Sequence, residues 1–173
     1  MRLKGIPAAP GISIGRAYLM SEESFCVIKR NIGAGQVKKE VARFRKALAQ
    51  VELEFKKQRD KVTQEMGKTY GRLFSAYGLI LKDPLFYKDT IKVISEDKVN
   101  VEFALQTVID QIAKTFSMLE DEYMRERSRD VQDVGNRVLS VLLGQGKTSI
   151  LDIENRVILV ANALHPSDAD EMK

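Results

Sequence analysis

One row of apolar residues constrains this chain more than any other feature. Val37, Val41, Phe44, Leu48, Val51 and Phe55 follow one another at spacings of four, three, four, three and four, and Val62 and Met66 keep the register. Such a row occupies one narrow side of a long α-helix, which needs partner helices to cover it. Gly67 is a natural stop. The sequence downstream supplies the partners. Tyr70 to Leu81 reads as a shorter helix. Asp83-Pro84 breaks it and starts another, with Asp83 as N-cap and Pro84 at the first helical position, running to about Glu96. Asn100 is an N-cap candidate for a stretch whose face is Val101, Leu105, Val108, Ile112 and Phe116. A last helix carries Met124, Val131, Val134, Val138 and Leu142 on its stripe and ends at Gly144.

The two ends of the chain read differently. Ile12, Ile14 and Tyr18 alternate with small residues after a Gly- and Pro-rich start, the period of a strand. Cys26-Val27-Ile28 is a candidate second short strand. Val157-Ile158-Leu159-Val160-Ala161 is a continuous apolar run that fits a buried strand, and Ser167-Asp168 after Pro166 fits the cap of a new helix. Strand signals at the ends around a helical block from Gln36 to Gly144 predict that the end strands pair and that the block is an insertion. The expected fold class is therefore α+β or α/β, with a hairpin-type four-helix subdomain inserted into an incomplete α/β domain. Residues 1–32 would supply the first strands, 33–144 the helices and 145–173 the return.

Composition excludes several chemistries. Hydrophobic residues make up 44% and charged residues 30%, enough for a buried core. No apolar run reaches the roughly 20 residues of a membrane helix, the N-terminus lacks a signal-peptide core, and a single cysteine allows no internal disulfide. The cytoplasm is the compartment these features favour. A net charge of +4 without a basic stripe interleaved with aromatics predicts no nucleic-acid partner. One histidine and one cysteine leave no zinc or histidine-based catalytic set, so neither a catalytic residue nor a metal site is expected in this chain.

The remaining candidates are few. Gly11-Ile12-Ser13-Ile14-Gly15 fits a glycine-kinked strand rather than a phosphate loop. His165 reads as a surface histidine and Cys26 as a buried structural cysteine. Arg127 falls on the apolar stripe of the last helix, three residues after Met124 and four before Val131, so it must snorkel, pair with a carboxylate or meet a partner. Leu79-Ile80-Leu81 with Phe86-Tyr87, joined by Phe116, makes either an exposed patch at a helix corner or a wider core.

Three stretches together resemble enzyme I of the phosphoenolpyruvate-dependent sugar phosphotransferase system, in its N-terminal segment. They are Lys4 to Ala17 (KGIPAAPGISIGRA), Asp121 to Arg127 with Asp130 to Leu139 (DEYMRER, DVQDVGNRVL), and Val157 to Ala161 with Leu164 to Asp168 (VILVA, LHPSD). The resemblance implies an α/β phosphohistidine (swivelling) domain with a helical insert that docks the carrier protein HPr. It implies a parent enzyme, phosphoenolpyruvate-protein phosphotransferase, that moves the phosphoryl group of phosphoenolpyruvate through a histidine to HPr. That histidine belongs to a Gly-Gly-x-Thr-Ser-His motif expected beyond Lys173, so the chain alone is expected to be inactive. Magnesium and dimerisation belong, on the same resemblance, to a C-terminal domain.

The resemblance also assigns docking positions. Leu79, Ile80, Phe86 and Phe116 correspond to the apolar contact surface, Asp83 to an acidic docking position and Arg127 to an arginine facing the carrier. Departures occur at Lys68, Lys82 and Leu85, where acidic residues are often found, at Tyr77 in place of histidine, and at His165 and Ala169 in place of threonine. These leave a nitrogen-regulatory paralogue open. The other alternative is a helical adaptor that self-associates through Val41, Phe44, Leu48 and Val51. A dikinase or synthase would lack the helical insert, and the Asp121–Leu139 signature argues against it.

Overall fold

The computed structural model describes residues 6, 9–20, 25–118, 121–144 and 156–161. Two units are distinct: Glu23–Thr148, and Met1–Glu22 with Ser149–Lys173. In the first unit a 3-10 turn at Ala34–Gln36 leads into α1 (Val37–Met66), followed by α2 (Lys68–Ile80), α3 (Pro84–Glu96), α4 (Val101–Ser117) and α5 (Glu122–Leu143). The periodic row of α1 becomes its core side: Phe44, Leu48, Val51, Phe55 and Val62 are all buried. Gly67 ends α1 at φ 94°, a left-handed value that favours glycine, and its N–H donates to Thr63 O at 3.1 Å.

Contacts fix the directions of the helices. Thr63 lies against Gly71, the Phe55 and Tyr77 rings are 5.4 Å apart, and Glu52 pairs with Lys82. Helix α2 therefore runs antiparallel to α1. Helix α3 continues that direction, so the described unit has five helices where four are expected, α2 and α3 following each other along α1. Tyr87 is stacked 6.1 Å from Phe44 and accepts a hydrogen bond from Arg45 Nε at 3.0 Å. Helix α4 starts beside the start of α1, and α5 returns past it, placing Arg137 on Glu54 and the Leu142 carbonyl on Arg43. The seam of α1 is thus filled by the chain's own helices, which removes the surface that the adaptor reading requires.

Helices α4 and α5 approach closely at Gly135. A Cβ built there would run into Cδ1 and Cγ1 of Ile109, so no larger residue fits without displacement.

A charged knot closes one end of the unit. Arg43 donates to Glu40 at 2.9 and 3.1 Å, to Glu102 at 2.5 Å and to Leu142 O at 3.4 Å. Glu40 Oε2 accepts from Val101 N at 2.9 Å and so caps α4 from another helix. Asn100 stands at the N-cap position, yet its side chain makes no cap bond to α4. Its amide donates to Glu102 and to Ile28 O, and its oxygen accepts from Arg30 N at 2.7 Å. The predicted strand at Cys26–Ile28 is accordingly absent. That arm spends hydrogen bonds on Asn100, and ladder-like pairing begins only at Asn31 with Val99. Cys26 is exposed rather than buried. Phe25 and Val27 turn to the core on either side of it, and a tight turn closed by Val27 N donating to Phe25 O at 3.0 Å leaves Cys26 on the outside.

In the second unit β1 (Arg16–Met20) and β2 (Val157–Ala161) pair in parallel, from Arg16↔Val157 to Met20↔Ala161. The end strands do pair. The strand at the start is shorter than its alternation suggests, since Ile12 and Ile14 precede it and are exposed. The β2 run is half-buried, with Val160 exposed, because the sheet among the described residues has only two strands. His165, Ala169 and the helix expected after Ser167-Asp168 lie outside the described residues.

Candidate functional site

The corner between α2 and α3 is held by the backbone. Lys82 N donates to Leu79 O and Asp83 N to Ile80 O, each at 3.1 Å, closing the end of α2. Asp83 then caps α3: its carboxylate accepts from Leu85 N at 2.8 Å, and its carbonyl accepts from Tyr87 N at 2.8 Å. Pro84 occupies the first helical position, where its missing N–H costs nothing.

This corner sorts its apolar residues sharply. Leu79 is 71% exposed, Ile80 is half-buried against the core and Leu81 is buried. On α3, Leu85 is 55% exposed while Phe86 is only 1% exposed. Phe86 therefore offers no contact surface, contrary to its place in the sequence-derived set. It repeats with Thr90 and Ile94 at a spacing of four, which sets it on the core side of α3. Leu85, one step round the helix, is the residue that faces outward. That same spacing carries its signal in the sequence, but Thr90 interrupts the apolar row.

Leu79, Ile80 and Asp83 share this corner. Phe116 and Arg127 belong to the end where α4 meets α5, marked by Ser128 Oγ donating to Ala113 O at 3.3 Å. Both are half-buried, and Arg127 lies 3.7 Å from Asp130, so its position on the stripe is reconciled partly by a carboxylate. Helix α5 also reaches α2, through Tyr77 OH and Asp133 at 3.3 Å. Tyr77 is 4% exposed and packs on Phe55 and Phe74, so it is a core residue and not a surface determinant.

The charges near the corner are mostly engaged or basic. Lys82 Nζ pairs with Glu52 at 2.6 Å. Lys68, Arg72, Ser75 and Leu79 form one exposed row along the outer side of α2. Among the described residues, no group of three His, Cys, Asp or Glu side chains is placed to hold a metal ion. No helix of the described residues is long and apolar enough to cross a membrane.

Comparison with known proteins places this geometry. The family model described as "PEP-utilising enzyme, N-terminal" matches residues 4–127. The chain belongs to this family. Over 170 residues, 98% of its length, it is 38% identical to the phosphoenolpyruvate-protein phosphotransferase of Bacillus subtilis (strain 168), and it spans 30% of that protein. It is 37% identical over the same share to the enzyme of Listeria monocytogenes, of which it spans 29%. A solution structure of enzyme I matches 99% of this chain and 69% of its own, with a TM-score of 0.80 and 37% identity. The N-terminal domain of "Enzyme 1 - Nitrogen" shares the fold, with a TM-score of 0.68 over 96% of this chain at 24% identity. The family is the one that the three sequence stretches resemble, and its members' fold is the helical insert with an α/β part found here.

Proposed function

We propose that this chain is the carrier-docking segment of a phosphoenolpyruvate-protein phosphotransferase, and that it receives an HPr-type phosphocarrier at the α2–α3 corner. One observation carries the reading: Leu79 and Leu85 stand exposed on a corner that the backbone and the Asp83 cap hold rigid. Exposed apolar side chains on a rigid support suit an interface centre, with charges at the rim. Phe116 and Arg127, half-buried at the α4–α5 end, are proposed as its margin. The whole enzyme would take the phosphoryl group from phosphoenolpyruvate onto a histidine and pass it to the carrier. Its magnesium and its dimer contacts would lie in a C-terminal domain, and its compartment would be the cytoplasm.

Titration of an HPr-type carrier against the chain and against Leu79→Ala and Leu85→Ala tests this. Each truncation should weaken binding by about 1–3 kcal/mol. Unchanged affinity in both variants would refute the site.

A further inference from the structure

We propose that the partner received at the α2–α3 corner presents an apolar contact face bordered by carboxylates, which the cations on the outer row of α2 meet. This deepens the docking reading above and rests on it.

The row consists of Lys68, Arg72, Ser75 and Leu79, four exposed residues at successive turns of one helix side. Its two cations do nothing for the helix that carries them. Lys68 is the first residue of α2, at the positive end of the helix dipole, where a cation is disfavoured. Lys68 and Arg72 are also four residues apart, the spacing at which like charges repel. Neither makes an ion pair among the described residues. Local stability would be better served by an acid at position 68.

The acids near the corner stand on other elements, off this row. Glu52 is held by Lys82 at 2.6 Å, and the Asp83 carboxylate is turned to Leu85 N at 2.8 Å. On α3, Lys88 is exposed one turn after Leu85, while Asp89 beside it is half-buried. A body settling on Leu79 and Leu85 therefore meets cations along the outer row of α2 and at Lys88, with Asp83 as the acid at the corner.

The adjoining leucines favour a folded protein over a nucleic acid. A phosphate backbone would meet the cations but leave Leu79 and Leu85 uncovered, whereas a protein face supplies apolar centre and charged rim together. Charge at such a rim acts chiefly on the rate of association and is screened by salt.

The test uses two HPr-type carriers as probes, one with a basic contact rim and one in which those basic residues are replaced by glutamate. Association is followed by stopped flow at about 20 mM and about 300 mM salt. The proteins are the wild-type chain, Lys68→Glu/Arg72→Glu and Leu79→Ala/Leu85→Ala. Wild type should take the acidic-rimmed carrier at least about fivefold faster at low salt, with the difference collapsing at high salt. Lys68→Glu/Arg72→Glu should invert the preference, and Leu79→Ala/Leu85→Ala should weaken both complexes at either salt. A wild-type preference for the basic carrier, or a preference unmoved by the charge reversal, overturns the inference while the leucine variant still upholds the docking site. Tighter binding of a DNA duplex than of the acidic carrier also overturns it. Leucine variants that bind as wild type does, or a wild type that binds neither carrier, sink the docking reading and this inference with it.

Discussion

Replacing Arg43 by Met should destabilise the helical unit and make its stability respond to acid in a diagnostic way. Arg43 is the cation between Glu40 and Glu102, both of which are buried. Methionine keeps much of the packing volume but leaves two buried carboxylates without their cation. Breaking a buried ion pair costs about 3–5 kcal/mol. Arg43 is itself a third exposed, so solvent screens part of this, and a loss of about 2–4 kcal/mol is expected at pH 7. That corresponds to a urea midpoint lower by roughly 1–2 M. Burial alone would raise the Glu102 carboxyl, but hydrogen bonds from Asn100, its own backbone and Arg43 outweigh burial and hold it below the usual carboxylate range. A group depressed in this way adds stability above its unfolded value, about 4.3, and loses it as pH falls through the folded value. Wild type should therefore lose stability below about pH 4.5, and the gap to the variant should narrow there, since protonated carboxyls no longer need the cation. Urea unfolding followed by circular dichroism at several pH values measures both effects. A loss under about 0.5 kcal/mol at pH 7, or a gap constant with pH, would refute the reasoning.

Phe86→Ala should cost about 3–5 kcal/mol in denaturant unfolding, because it empties a core position, and should affect carrier binding only through that loss. Gly135→Ala should cost about 1–3 kcal/mol by driving a methyl group into Ile109, and combining it with Ile109→Ala should be less harmful than the sum, read from the same unfolding curves. Asp83→Ala should lower stability by about 1 kcal/mol through the lost cap at Leu85 N, measured as a shift in thermal midpoint.

The period of the α1 seam, Gly67 and the Asp83-Pro84 pair carry the helical architecture in the sequence, because each is a local signal with a local cause. Positions decided by distant partners are not legible there. Asn100 reads as a cap by residue type, yet Glu40, sixty-one residues from Val101, caps α4 instead. Phe86 enters the contact set through the family resemblance and Tyr77 only as a departure from it, whereas the burial of both depends on how α2 and α3 rotate against α1. The average habit of cysteine misleads at Cys26, which stands on the outside of a tight turn between two residues that face the core. The exposed half of the proposed docking corner is only partly legible: Leu79 reads as a contact, Leu85 only as a departure.

The joint at Gly67 has an implication for how this surface can vary. One residue separates α1 from α2, so there is no slack to absorb a change in length. Each residue added to or removed from a helix turns the next part of the chain by about 100°. A length change at the joint would swing Lys68, Arg72 and Leu79 off the outer side together. Point substitutions can retune the chemistry of that row one position at a time, but insertions and deletions at the joint would erase it as a unit, so its partner preference can drift only by exchange of side chains on a fixed phase.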